Sequence, residues 1–317
     1  MMRMEAVAGP VISAPSGSDV RRTPRQGRAA GVIEGAYARS LAGLIPAIAI
    51  MLGLATGGAR AEQLPLWEAG AGVSVISFPY YRGSDERRSW VLPFPYLVYR
   101  GEFLKADERR VRGLFFKADR VELDASVNAT VPVKSSEVDA RRGMPDLDPT
   151  LEIGPSLNIT VSRSADRKTQ LELRLPVRAV IASDFSSVEF AGWVFEPSLN
   201  LDVRDAFGNP GLNFGVLAGP MFSDRRHNEY FYAVDPAFAT ATRPAYSPGG
   251  GYAGAQLITA LSKRYRNFWI GGFARWDTLH NAAFDDSPLV RTHQYFAAGV
   301  AFAWIMGESK TLVESNR

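Results

Sequence analysis

The chain has 317 residues with 22% charged and 46% hydrophobic side chains, a composition shared by ordinary soluble domains. Seven of its 36 basic and three of its 33 acidic residues fall within 1–61; the remaining 29 basic and 30 acidic residues nearly cancel, which removes the support for a nucleic-acid partner. Cysteine is absent, which excludes a disulfide framework, and after Glu62 no apolar run reaches the about 18 residues of a helical membrane span.

The first element in chain order is an apolar run at 41–54. It follows Arg21, Arg22, Arg25, Arg28 and Arg39 and precedes Ala59-Arg60-Ala61. A basic stretch, a short apolar stretch and an A-x-A site make a secretory leader, so residues 1–61 are expected to be removed after Ala61. Gly43, Pro46 and Gly53 weaken the competing reading as a buried helix.

From residue 66 the chain alternates. Val121, Leu123, Ala125, Val127, Ala129 and Val131 share one face of an extended segment, while Glu122, Asp124, Ser126, Asn128 and Thr130 share the other. The pattern recurs at 150–163, 168–182 and 188–204. Strands are predicted at 66–77, 90–100, 102–108, 112–117, 121–132, 150–163, 168–182, 188–204, 211–224, 249–263, 267–278 and 292–305. Many are longer than the about 5 or 6 residues usual in a soluble sandwich and match the about 9 to 11 that cross a bilayer on a tilt. The expected fold is all-β, a transmembrane up-and-down antiparallel barrel over 62–305 of about twelve strands, or ten if the short third and fourth fail. A tail, 306–317, follows it.

The connections supply a parity check. If the amino terminus is periplasmic, connections after even-numbered strands face inward and are short, at 100–101, 117–120, 163–167, 205–210 and 264–266. Those after odd-numbered strands include the long 78–89, 133–149, 224–248 and 279–291, as in outer-membrane barrels. In the last strand Phe296, Ala298, Val300, Phe302 and Trp304 form one face, with rings at both ends as in the two girdles of a membrane barrel.

Two proline-rich segments stand out, Phe78-Pro79-Tyr80-Tyr81-Arg82-Gly83-Ser84-Asp85 and Leu92-Pro93-Phe94-Pro95-Tyr96-Leu97-Val98-Tyr99. Proline cannot donate to a ladder, so they read as a loop and a rim strand. Together with Gly219-Pro220-Met221-Phe222-Ser223-Asp224, Tyr230-Phe231-Tyr232-Ala233-Val234, Pro244-Ala245-Tyr246 and Ser287-Pro288-Leu289-Val290, they resemble the MipA/OmpV family of outer-membrane proteins across 67–304. Family members tend to end on the aromatic residue of the last strand, whereas here residues 305–317 follow Trp304. The resemblance implies an outer-membrane scaffold contacting outer-membrane lipid. It also implies partners among murein enzymes, a lytic transglycosylase and a penicillin-binding protein, and it brings no catalytic motif and no cofactor.

The polar strand faces nominate Glu122, Asp124, Glu152, Glu172, Arg174, Arg178, Glu196 and Asp202 as lumen-lining residues. Such charges must meet water or one another. A diffusion channel with charged walls and a lumen closed by ion pairs and inward loops both satisfy that demand. The aromatic loop 224–248, with Tyr230, Phe231, Tyr232, Phe238 and Tyr246, is expected to pack inward rather than hold a partner. Three histidines exist, His227, His280 and His293. A hydrolase could recruit His280, Asp285 or Asp286, and Ser287, but all fall in one loop without a nucleophile elbow, so no enzyme is expected. No metal-ligand spacing is present.

Overall fold

The structure, a computed structural model, describes residues 63–100, 104–106, 111–184 and 186–314. The leader and its cleavage point after Ala61 lie outside the described residues. In chain order the strands are β1 (Gln63–Pro65), β2 (Trp67–Pro79), β3 (Arg87–Arg100), β4 (Leu104–Ala106), β5 (Val111–Lys117), β6 (Val121–Ala129), β7 (Thr150–Arg163), β8 (Thr169–Ser183), β9 (Val188–Phe195), β10 (Ser198–Val203), β11 (Leu212–Ser223), β12 (Gly251–Arg264), β13 (Phe268–Thr278), β14 (Gln294–Glu308) and β15 (Leu312–Glu314). Among the described residues one α-helix, α1 (Arg225–Tyr232), lies between β11 and β12. No helix among the described residues is long and apolar enough to cross a membrane.

Strands β2 to β14 pair antiparallel in a single sheet that returns on itself. β9 and β10 are two arms of one traverse broken at Glu196-Pro197: Val177 of β8 faces Phe195, and Arg174 of β8 faces Ser198. β11 pairs with both arms, which closes the ring. Counting those arms as one gives twelve strands among the described residues, the expected number, with the expected single segment at 188–204; the third and fourth of them, β4 and β5, are a short hairpin of 3 and 7 residues rather than full traverses. β6 stops at Ala129, short of the predicted 132, and β14 continues to Glu308, beyond 305. Part of the tail pairs again: Val313 of β15 faces Leu64 of β1.

Alternation decides the two faces. Val73 (45% exposed), Leu97 (61%) and Trp304 (60%) point outward, whereas Asp124 (2%), Glu152 (6%) and Arg178 (4%) point inward. This is the reverse of a water-soluble barrel, and it suits a wall bathed in hydrocarbon whose strands take their ladder partners within the sheet, save where β3 and β6 flank the short β4–β5 hairpin. Rings gather at two levels. Tyr265, Phe268, Phe302 and Trp304 stack near the short turns, and Phe190, Trp193, Phe195, Phe222 and Tyr252 near the long loops. Eight residues separate Phe296 from Trp304, roughly 27 Å along a strand; at a tilt of about 40° that is roughly 21 Å of depth, close to the apolar band of an outer-membrane barrel.

Candidate functional site: a capped, charged lumen

Two clusters of inward charges form at the β7–β8–β10 wall. Arg178 Nε donates to Glu152 Oε2 at 2.8 Å, its Nη2 to Glu196 Oε2 at 2.5 Å and its Nη1 to Ser126 Oγ at 3.3 Å. Arg174 donates to Glu172 Oε2 at 2.8 Å and reaches Asp202 Oδ2 at 3.4 Å. Strand register puts these groups at neighbouring levels of one face: Glu172 faces Asn200, two residues from Asp202, across β8–β10, and Glu152 faces Val180, two residues from Arg178, across β7–β8. Glu122 and Asp124 occupy the inner face of β6, with Asp124 buried. A cavity of about 470 Å³ is lined by Asp124, Ser156, Arg174, Arg178, Glu196 and Gln256.

Sequence reading missed three further inward groups. Glu68 is fully buried and accepts from Arg264 Nε at 3.0 Å and from the Tyr96 hydroxyl at 3.3 Å. Arg275 forks onto Asp277 at 2.6 and 2.9 Å. The i, i+2 spacing of Arg275 and Asp277 was a usable signal, since both must share a face. Arg82, in the loop between β2 and β3, sends Nη2 to the Ala253 carbonyl at 2.6 Å and Nε to the Tyr295 hydroxyl at 3.1 Å.

At the end opposite the short turns, four loops pack into one apolar core. Tyr81, Val133, Val138, Leu147, Tyr232, Val234, Leu279, Phe284 and Leu289 are among its buried members. Tyr232 stacks on Phe284 with ring centroids 3.8 Å apart, worth about 0.5–1.5 kcal/mol beyond area burial. Polar bonds tie the loops to one another. Tyr232 donates to the Arg82 carbonyl at 3.0 Å, Ser287 Oγ to the Tyr232 carbonyl at 2.8 Å, and Arg141 Nη1 to the Phe231 carbonyl at 3.1 Å. Burial pushes the Tyr232 hydroxyl up to about 12, against the pull of Arg82, so it stays a donor at neutral pH.

The loop 224–248 holds the helix α1, which the alternation-based reading did not foresee. Asp224 caps it by accepting from His227 N at 2.8 Å. Gly192, at φ +104° in β9, leaves the room: a Cβ there would sit 2.2 Å from Asp224 Oδ1. Burial, and then the nearby Arg82 charge, push the His227 imidazole down to about 4. Tyr230 and Tyr232 pack inward, as do Phe231 and Tyr246 at the edge of the core.

The proline-rich signature builds this cap. Pro79 ends β2, and Tyr80 reaches Glu137 Oε2 at 3.4 Å. Gly83, at φ +96°, offers its carbonyl to the amides of Arg291 at 2.7 Å and Thr292 at 3.1 Å. Ser84 is buried and its Oγ accepts from Glu86 N, while Asp85 stands 4.0 Å from Arg291. Ser287 and Pro288 lie in the loop that closes against them. Pro93, Pro95 and Tyr99 are on the outer face of β3, away from the cap. His280 stacks on His293 and contacts Gln294, while Ser287 Oγ is committed to Tyr232, so the side chains considered for a hydrolase are not assembled as one.

The model of the MltA-interacting protein (MipA) family matches residues 71–306, from β2, the first strand of this ring, to β14, its last. The chain belongs to that family. The MipA match spans the signature loop, the cap and both charge clusters, so they are parts of the family's own domain. None of the curated proteins compared with the chain matches it.

Proposed function

We propose that this MipA-family protein is an outer-membrane scaffold that holds a murein lytic transglycosylase, and with it a murein-synthesising penicillin-binding protein, at the periplasmic face. The carrying observation is the match across 71–306 to a family named for interaction with MltA. In this reading the leader 1–61 directs export, the barrel in outer-membrane lipid runs from 62 to the end of β14 at Glu308, and the residues after it are a periplasmic tail. Both described chain ends, the β1–β15 ribbon and the short turns share the end where a periplasmic enzyme would dock. The apolar core of the loops at the other mouth favours the scaffold over a diffusion channel. Glu122, Asp124, Glu152, Glu172, Arg174, Arg178, Glu196 and Asp202 then serve as an internal brace.

Native protein pulled from mildly cross-linked envelopes is expected to bring both enzymes with it. Recovery free of any murein enzyme rejects the scaffold. Planar-bilayer recordings of the purified protein are expected to be silent; conductance steps that change on Glu172→Ala would favour the channel instead.

A further inference from the structure

Among the described residues the barrel wall has a window. β3 pairs with β2 over its whole length, from Pro79↔Arg87 to Trp67↔Tyr99, but with β4 only at Tyr99 and Arg100. β6 pairs with β5 only from Glu122 to Asp124. Among the described residues, the facing edges of 87–98 and 125–129 therefore carry no strand. Ala106 pairs with Val111, so only four residues join β4 to β5, with a reach of about 14 Å fully extended. The twelve residues 87–98 run roughly 40 Å.

The chemistry of the edge keeps the window from closing. The β2–β3 ladder passes through Val73↔Pro93 and Ala71↔Pro95 without a break, so both proline nitrogens face away from β2, toward the window. Two donors are thus missing from that edge, which blunts it against pairing with another strand. Across the top, Glu137 bonds Arg88 at 2.6 Å and holds the loop 130–149 as a lintel. Asn128, on the inner-facing side of β6 and within the stretch that lacks a β5 partner, is exposed.

The lumen behind the window is divided. Ser74, Ile76, Trp90, Leu92 and Phe94 make the inner faces of β2 and β3 between Glu68 and Arg88 free of charge. That apolar wall runs on to Phe273 and Ala301, around a second cavity of about 330 Å³. Its rings lie flat: Phe94 covers Gly72 and Trp269 covers Gly271, where a Cβ would come within 2.4 Å of the ring, so neither ring fills the space. The opposite wall is the 470 Å³ cavity with Arg174, Arg178 and Glu196. Beside the window, the Trp90 Nε1–H is buried without an acceptor among the described residues.

We propose that this lumen binds a single-chain zwitterionic amphiphile, of the lysophospholipid type, that enters sideways from the bilayer between β3 and β6. The chain lies along Ile76, Phe273 and Ala301, and the head meets the wall that carries charges of both signs. Each cavity falls in the about 300–1,000 Å³ range of small-molecule sites. A site open to the membrane spares the amphiphile a passage through water.

The test uses the full chain in mild detergent, with lysophosphatidylcholine as the probe and native mass spectrometry as the readout. Wild type is expected to carry one saturable adduct. Ala301→Trp, which fills the cavity, is expected to weaken it at least tenfold, while Ala298→Trp, on the lipid side of the same strand, leaves it intact. Heat-modifiable gel mobility verifies folding; if Ala301→Trp does not fold, Ala260→Phe takes its place. The chain has no cysteine, so Asn128→Cys gives one attachment point for a bulky maleimide polymer at the window. That label is expected to slow uptake at least tenfold relative to the same label at Thr242→Cys. No saturable adduct, or equal adducts in the two tryptophan variants, overturns the site; uptake indifferent to the label at 128 overturns the lateral entrance.

Discussion

The Tyr81 hydroxyl donates to the Leu289 carbonyl at 2.7 Å, joining positions 208 residues apart. Burial pushes that phenol above the ordinary tyrosine range, so it does not ionise and the bond survives through alkaline pH. The pair fastens the first long loop to the last, and with Gly83 and Arg291 it makes the cap one body rather than separate loops. Tyr81→Phe leaves the Leu289 carbonyl buried and unpaired, at a cost of about 1–3 kcal/mol. Hydrogen exchange is expected to accelerate across 287–292 and to stay slow in β13. Unchanged exchange at 287–292 would show that the bond does not hold the loop.

The Arg178 cluster braces the barrel from within. Arg178→Ala strands Glu152 and Glu196 in a site that hides most of their surface, and such losses cost about 3–5 kcal/mol. The temperature at which the folded gel band converts to the unfolded one is expected to fall. The variant with Arg178→Met, Glu152→Gln and Glu196→Gln together is expected to recover much of it, because no charge is left alone. A triple variant weaker than Arg178→Ala would contradict that assignment.

Gly192 admits α1. Gly192→Val both strains a positive φ and drives a side chain into Asp224, so the helix must leave its seat. Protease is then expected to cut within 225–232 while the barrel keeps its heat-modifiable mobility. Resistance equal to wild type would mean the helix tolerates the bulk.

His227 makes that docking sensitive to acid. Its buried imidazole titrates near 4, whereas an undocked one titrates near 6.5. Between those values the undocked segment binds a proton that the docked one does not, so docking weakens as pH falls from 6.5 to 4, by up to about 3 kcal/mol. Above 6.5 the two forms bind protons equally and the pH dependence vanishes. His227→Gln is expected to abolish the acid-induced rise in hydrogen exchange of α1. A rise of equal size in that variant would assign it to another group.

Alternation along the strands was enough to determine that the chain makes a barrel with its greasy side outward, about where each strand lies, and at which end the long loops sit. Period two fixes the face of every residue, and a sheet in hydrocarbon must close to satisfy its backbone. Glu152, Arg174 and Arg178 could thus be placed on an inner face by counting. Only the tertiary structure decided that Arg178 meets Glu152 and Glu196, that α1 docks at Gly192, that Gly83 receives Arg291, and that β3 faces a window. Those relations depend on register, on ring closure and on packing between loops up to 208 positions apart, and no local period encodes them.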